Sequence, residues 1–390
     1  MTTAHETVDR IHKAAGALRA ESEACDAAGQ LTTETAELMR ASGGVRLLQA
    51  ASHGGYEADP AHFFEWVRAV GRLNPSAGWV AGVVGVHPWE VALLEPELQD
   101  EIYGDDPDTW VASPYAPQGR AVPRDDGFVF SGRWSYSTGT DHCDWVVLGG
   151  IVAGEGGGGA PDVRHFFLPR GDYRIIEDSW QVMGLSGTGS KDIVIEEQFV
   201  PAYRTIGHRQ LCDGAFGTRR AGVPLYQLPF GCVFSAAVAS AAFGIAQGLV
   251  DVYRDYLTTR VSAVGVVGTS DPFQAEALAE LEADISAGIV HVDAMIAGWM
   301  ERASRGDAFT AADRLQFRRN QVRAVQRVLA SADKLMSRAG SAAVWTTRPL
   351  ERYWRDLRTA GTHVCNVMDS IYLGWAANEF ETGEVVRGFY

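Results

Sequence analysis

Two kinds of side chain in this sequence could do chemistry: imidazoles placed beside apolar or aromatic runs, and short hydroxyls set in strand-like segments rich in glycine. Histidine titrates nearest neutrality, which suits it to general acid–base work. Of the ten histidines, His87 closes an apolar run through Ala81, Val83, Val84 and Val86, and His363 follows Arg352-Tyr-Trp-Arg-Asp356. For each, a core or capping histidine is the competing reading. The run Trp134-Ser-Tyr-Ser-Thr138 alternates large rings with hydroxyls. Trp134 could present a flat face to a planar ligand, and Ser137 or Thr138 a hydrogen bond. A half-buried strand would show the same alternation. Ser113, in Ser-Pro-Tyr-Ala-Pro117, could partner a substrate hydroxyl or serve only the turn. His142 is a weaker candidate.

Gly184-Leu-Ser-Gly-Thr-Gly-Ser190 invites comparison with a dinucleotide-binding turn, but the β-rich run Asp192 to Val200 follows it instead of a helix, which excludes a Rossmann unit. The glycines are expected to let backbone approach a ligand closely, with Thr188 and Ser190 donating hydrogen bonds. Arg260, at the end of a helical segment from Val250, could offset an anion or do the ordinary work of a helix-terminal cation. Arg314, Arg318, Arg319, Arg323 and Arg327 read as a solvated or subunit-facing ladder.

These residues need elements to hold them. From Glu6 to about Tyr103 apolar residues recur at helical spacing, with Pro60 opening one helix. From about Trp110 to Val200 short β-rich runs alternate with Gly, Pro and Asp, predicting a small barrel or sandwich, and the glycines from Gly154 to Gly159 predict a hairpin tip. After about Leu228 long helices return. Val233 to Val250 reads as a buried bundle helix rich in small residues. Asp271-Pro272 opens another helix through about Met300, and Thr310 with Asp313 opens a third that ends at Gly340. The expected division is a helical domain over 1–109, a β-domain over 110–215 and a four-helix bundle over 216–390, an α+β but mostly α architecture.

Composition narrows the function classes. A formal charge of −15 argues against nucleic acid and anionic membranes as partners. Five scattered cysteines without a CxxC pair argue against a disulfide framework and a zinc site, and fit a cytoplasmic protein. A small organic substrate is the expectation, with no metal.

Six motifs in order carry a resemblance over essentially the whole chain: Asn74-Pro-Ser-Ala-Gly-Trp79; Gly85-Val-His-Pro-Trp89; Ser113 to Pro117; Gly132 to Gly139 with Asp141-His142; Met183 to Ser190 leading to Val200-Pro201; and Arg352 to Asp356 followed by His363. The chain resembles the two-component flavin-dependent monooxygenases built on the acyl-CoA dehydrogenase fold, similar to the oxygenases of p-hydroxyphenylacetate and of the phenolic ring of degraded sterols. The resemblance implies an oxygenase component that hydroxylates an aromatic substrate with reduced flavin (FMNH2 or FADH2) and O2, through a flavin C4a-hydroperoxide, and that depends on a separate NAD(P)H:flavin reductase. The long apolar-striped helices, too extended for the other two domains to cover, predict a homotetramer formed largely through the C-terminal bundle. The resemblance also implies catalytic roles for His87, His363 and Ser137, substrate contacts from His87, Ser113 and Trp89, and flavin contacts from Trp134, Ser137, Thr138, Thr188, Ser190 and Arg260. N-, S- or indole oxygenation is the alternative on the same scaffold. An acyl-CoA dehydrogenase is disfavoured, because the Tyr-Glu-Gly-Thr signature with its glutamate base is absent. Ser186 stands where similar enzymes carry an arginine, so any charge owed to the flavin must come from elsewhere.

Overall fold

The fold is described from a computed structural model covering residues 4–154, 161–214, 220, 222–262 and 265–382 of the 390-residue chain. The N-terminal part is helical: α1 (Glu6–Lys13), α2 (Ala15–Ala28), α3 (Thr33–Ser42), α4 (Pro60–Leu73), α5 (Pro75–Val84), α6 (His87–Val91) and α7 (Pro96–Tyr103). Local chemistry sets several of these starts. The Asp59 carboxylate accepts from Ala61 N before Pro60, and the Asn74 side chain accepts from Ala77 N before Pro75. Every residue of α5 is buried. Its small residues permit this: a Cβ at Gly78 would lie 2.2 Å from Gly71 Cα on α4, and one at Gly82 would lie 3.1 Å from Ala237 O.

The middle of the chain forms one eight-stranded sheet from β1 (Val111–Ala112), β2 (Gly119–Arg124), β3 (Gly127–Ser137), β4 (Trp145–Val152), β5 (Val163–Pro169), β6 (Arg174–Ile176), β7 (Lys191–Pro201) and β8 (Thr205–Gly207). The order is β6-β7-β3-β2-β4-β5-β8, with β1 pairing β4 in parallel. The register of β3 against β7 shifts between Trp134 and Ser137, where Tyr136 takes φ +70°. This bulge turns the end of β3 out of its alternation. The expected glycine hairpin tip lies, apart from Gly154, outside the described residues.

A short helix α8 (His208–Asp213) leads to the bundle: α9 (Phe230–Thr259), α10 (Pro272–Ser304), α11 (Ala311–Ala339), α12 (Pro349–Ala360) and the final α13 (Asp369–Glu379). Asp271 caps α10 by accepting from Phe273 N with Pro272 at its first position, and Thr310 and Asp313 form a reciprocal capping box on α11. α9 is long and apolar enough to cross a membrane by length and composition, yet its most apolar window is 94% buried within the protein. Against it pack α4, α5, α10, α11 and α12. The arginine ladder on α11 departs from a solvated stripe at two positions: Arg318 is fully buried and Arg314 nearly so, Arg318 donating to Cys365 O at 3.0 Å. Position on the helix decides this, because those two arginines face inward.

Candidate active site

α6 begins with His87, which is 0% exposed. Its Nδ1 bonds the carbonyl oxygen of Val111 on β1. A carbonyl can only accept, so Nδ1 carries the proton and Nε2 is left as an acceptor. That Nε2 is buried and makes no hydrogen bond within the described residues. Burial lowers the pKa of His87 to about 4, below the near-neutral value expected of a base. The ring is therefore neutral at pH 7, with its Nε2 lone pair unused within the described residues.

His363 has the opposite tautomer. Its Nδ1 accepts from Cys365 N at 3.2 Å, which leaves Nε2–H as a donor. Burial, and then the Arg318 charge, lower its pKa to about 4. The two imidazoles are joined through aromatic rings: His87 meets Tyr115 edge-on at 5.6 Å, Tyr115 meets Phe234 of α9 at 5.4 Å, and Phe234 meets His363 at 6.0 Å. Trp79 of α5 abuts His363 at 5.4 Å, and Phe230 packs on Tyr115 at 5.3 Å. The side chains that link the two imidazoles are thus aromatic, with one acceptor nitrogen and one donor nitrogen among them. Such a set of groups suits a flat aromatic ligand bearing a hydroxyl. Ser113 is buried beside the Tyr115 hydroxyl, whose pKa burial and the nearby Glu90 carboxylate raise well above its ordinary value.

Behind α5 lies the hydroxyl-rich end of β3. Gly139 is close enough to Val80 and Val84 that a Cβ there would lie 3.0 Å from Val80. Ser137 is 0% exposed, and its Oγ has no hydrogen-bond partner among the described residues. Thr138 Oγ1 and Ser190 Oγ lie 2.9 Å apart, Ser190 Oγ and Thr188 Oγ1 2.8 Å apart, and Thr188 Oγ1 donates to Leu185 O at 2.8 Å. These residues fit a flavin. A buried hydroxyl without a partner costs about 1–3 kcal/mol unless a ligand supplies one, and a ring system with alternating donor and acceptor nitrogens does so. Tyr136, 69% exposed at its strained φ beside Trp180, marks the same edge.

Several expected site residues sit elsewhere. Trp134 is fully buried in the sheet core, packed on Phe130 at 5.2 Å with Nε1 donating to Gly149 O, so it offers no face to a ligand. Trp89 is likewise 0% exposed; it stacks on Phe230 at 5.5 Å, donates to Leu225 O and supports the pocket wall from behind. Arg260 follows the last residue of α9, a 30-residue helix about 45 Å long, whereas Phe230 and Phe234 lie at its start. Its Nε donates to Ala339 O and its guanidinium lies 3.8 Å from Asp271, so within one chain it is remote from the pocket. The glycines of the 184–190 loop serve packing. A Cβ at Gly184 would lie 2.5 Å from Arg355 O, one at Gly187 2.8 Å from Cys25 C, and one at Gly189 2.5 Å from Asp141. Ser186 donates to Val182 O at 3.4 Å, and the loop's neighbouring cation, Arg355, is already engaged by Asp26 and Glu351. His142 bonds Leu31 O at 2.8 Å, a structural role.

Residues not singled out in sequence complete the site. Asp356, whose carboxylate accepts from Leu185 N at 2.6 Å, holds that residue's φ of +59°, and burial raises its pKa to about 7. Tyr115, Phe230 and Phe234 form the wall. Glu90 stands three residues after His87 on α6, and that i, i+3 spacing was the one sequence signal that could have found it.

Residues 236–367 match the family described as acyl-CoA dehydrogenase, C-terminal domain. Over 376 residues the chain is 40% identical to a pigment production hydroxylase of Rhodococcus erythropolis, covering 94% of each. It is 34% identical over 366 residues to the flavin-dependent monooxygenase oxygenase subunit HsaA of Rhodococcus jostii, covering 93% of this chain and 95% of that one. The crystal structure of XiaF from a Streptomyces species, in complex with FADH2 and glycerol, superposes with a TM-score of 0.90 at 25% identity, over 99% of this chain and 97% of that one.

Proposed function

Because the chain belongs to the oxygenase subunits of flavin-dependent monooxygenases, on the acyl-CoA dehydrogenase fold, we propose that its pocket hydroxylates a phenol with His87 as the group that takes the phenolic proton. The protein is a reduced-flavin-dependent aromatic hydroxylase, and a separate flavin reductase supplies the flavin. The observation that carries the His87 assignment is its buried Nε2, an acceptor without a hydrogen-bond partner among the described residues, on a ring that packs edge-on against Tyr115.

Bound reduced flavin supplies the electrons that activate O2 for insertion into a ring C–H bond. Ser137, Thr138, Thr188 and Ser190 would hold it. The aromatic wall excludes water and fixes the ring plane of the substrate. His87 Nε2 accepts from the substrate hydroxyl, which raises electron density on the ring, while His363 Nε2–H donates from the opposite side. Ser113 orients Tyr115 beside the substrate. An indole or amine N–H could also donate to His87 Nε2, which is the second reading.

The purified chain is expected to bind reduced flavin more tightly than oxidised flavin and to oxidise no NADH by itself, turning over only when an NAD(P)H-dependent flavin reductase is added. NADH consumption at a useful rate without reductase refutes this arrangement. We also assign the protein to the cytoplasm, supported by five buried cysteines that form no disulfide among the described residues, and divide the chain at 109 and 215.

The remoteness of Arg260 supports a homotetramer, formed through the bundle, in which one copy's Arg260 serves another copy's flavin. Light scattering should give about four times the chain mass of 42.2 kDa. A monomer at micromolar concentration would refute the tetramer.

A further inference from the structure

One buried polar chain leads away from the pocket. The Glu90 carboxylate on α6 bonds His165 of β5 (Oε1 to Nδ1, 2.6 Å), His165 Nε2 lies 3.0 Å from His208 Nδ1 on α8, and His208 Nε2 lies 3.5 Å from Cys212 Sγ. Glu90 and His165 are 0% exposed, whereas His208 is partly exposed, so the chain runs from the interior to the surface. At its inner end Tyr115 stacks on His165 at 4.7 Å and meets His87 at 5.6 Å. The charge of Glu90 acts on both His87 and the Tyr115 hydroxyl. Its second oxygen, Oε2, is buried without a hydrogen-bond partner among the described residues, like His87 Nε2 one turn earlier on the same helix.

One tautomer of each ring gives a continuous chain. A carboxylate accepts, so His165 Nδ1–H donates to Glu90; in that tautomer His165 Nε2 accepts from His208 Nδ1–H, and His208 Nε2 accepts from the Cys212 thiol. In this polarity a proton taken up at His208 Nε2 moves inward, His208 Nδ1–H passing to His165 Nε2 and His165 Nδ1–H to Glu90, and the chain with its tautomers so reversed carries a proton back out. We propose that Glu90, His165 and His208 form a proton conduit between the surface and the catalytic site, carrying a proton in to Glu90 and back out.

The proposal rests on the hydroxylase reading and deepens it. Burial makes a lasting imidazolium at His87 unfavourable, and the charge of Glu90, one turn later on α6, acts on that ring. The balance closes over one turnover: O2 and the two electrons and two protons of reduced flavin give one inserted oxygen and one water, and the lent phenolic proton is restored. The groups facing the conduit are His87 and Glu90 from α6, Tyr115 from the β1–β2 link, His165 from β5, and His208 and Cys212 from α8.

The test uses the full chain without flavin, labelled with ¹⁵N-histidine, and follows exchange of the His165 Nδ1–H proton with solvent. His208→Ala should slow that exchange about tenfold or more, and imidazole added to the buffer should restore it, standing in for the missing ring. His208→Gln, which keeps the bulk, should behave alike. Exchange at the wild-type rate in either variant, or slowed exchange that imidazole does not restore, overturns the conduit. With reduced flavin and a phenol that the wild type hydroxylates, oxygen transfer should fall in the same ratio as exchange, and an unchanged transfer rate rejects the catalytic role. If the wild type hydroxylates no phenol, the functional reading fails while the exchange result still decides the conduit.

Discussion

Replacing His87 with asparagine is expected to slow oxygen transfer to a phenol by about 10²- to 10⁴-fold while leaving flavin binding nearly intact. An ordinary phenol has a pKa near 10, so about one molecule in a thousand is ionised at pH 7, a deficit of roughly 4 kcal/mol. His87 lowers that deficit by accepting the proton as the ring becomes nucleophilic. Its own pKa of about 4 means that it does not hold the proton in the resting complex, so transfer accompanies the chemical step instead of preceding it. Asparagine can donate to Val111 O and still offer an acceptor, but it cannot take a proton. Raising the pH toward 10 should therefore rescue the variant in part, since solvent then ionises the phenol; the wild type needs no such help wherever His87 is neutral, above about pH 4. Single-turnover rates across pH 6 to 10 check this. Wild-type rates in the variant, or a loss that high pH does not relieve, would remove His87 from the role of base.

Ser137→Ala should raise wasteful release of hydrogen peroxide by roughly ten- to a hundredfold relative to product, with little change in substrate affinity. The buried Ser137 hydroxyl lacks a protein partner, so its hydrogen bond is free for the flavin, and removing one such bond costs about 1–3 kcal/mol. Thr138 makes a sharp control. Its hydroxyl already lies 2.9 Å from Ser190 Oγ, so Thr138→Ala should uncouple less. Peroxide yield per O2 consumed, measured for both variants, decides the assignment. If Thr138→Ala uncouples more than Ser137→Ala, the flavin contact belongs to Thr138.

Local rules made much of the fold legible in advance. Asp59-Pro60, Asp271-Pro272 and the Thr310–Asp313 box start helices where short-range chemistry says they should, and six short motifs resembled a known family in the right order. What escaped depended on contacts distant in sequence or on broken periodicity. Trp134 and Ser137 are both buried although a regular strand would place them on opposite faces; the bulge at Tyr136 cancels the alternation, and with it the expectation that the Trp134 ring faces the flavin. Arg260 was carried over by position, but the length of α9 places it far from the pocket of its own chain. Glu90 and His165 are 75 residues apart and meet only because β5 passes beneath α6. Arg318 looked like one more rung of a ladder, and only its contact with the Cys365 segment reveals that it faces inward.

The central claim is that this pocket inserts one atom of O2 into a phenol ring. The most direct measurement supplies the protein with chemically reduced flavin and ¹⁸O2 in the presence of an equimolar panel of simple phenols, indole, a thioether and an aromatic amine, followed by mass spectrometry of the products. The account predicts one ¹⁸O per molecule in a new ring hydroxyl of at least one phenol, with formation falling about 10²-fold or more in His87→Asn. Label found only in the indole, thioether or amine, or in hydrogen peroxide with no labelled organic product, would contradict it.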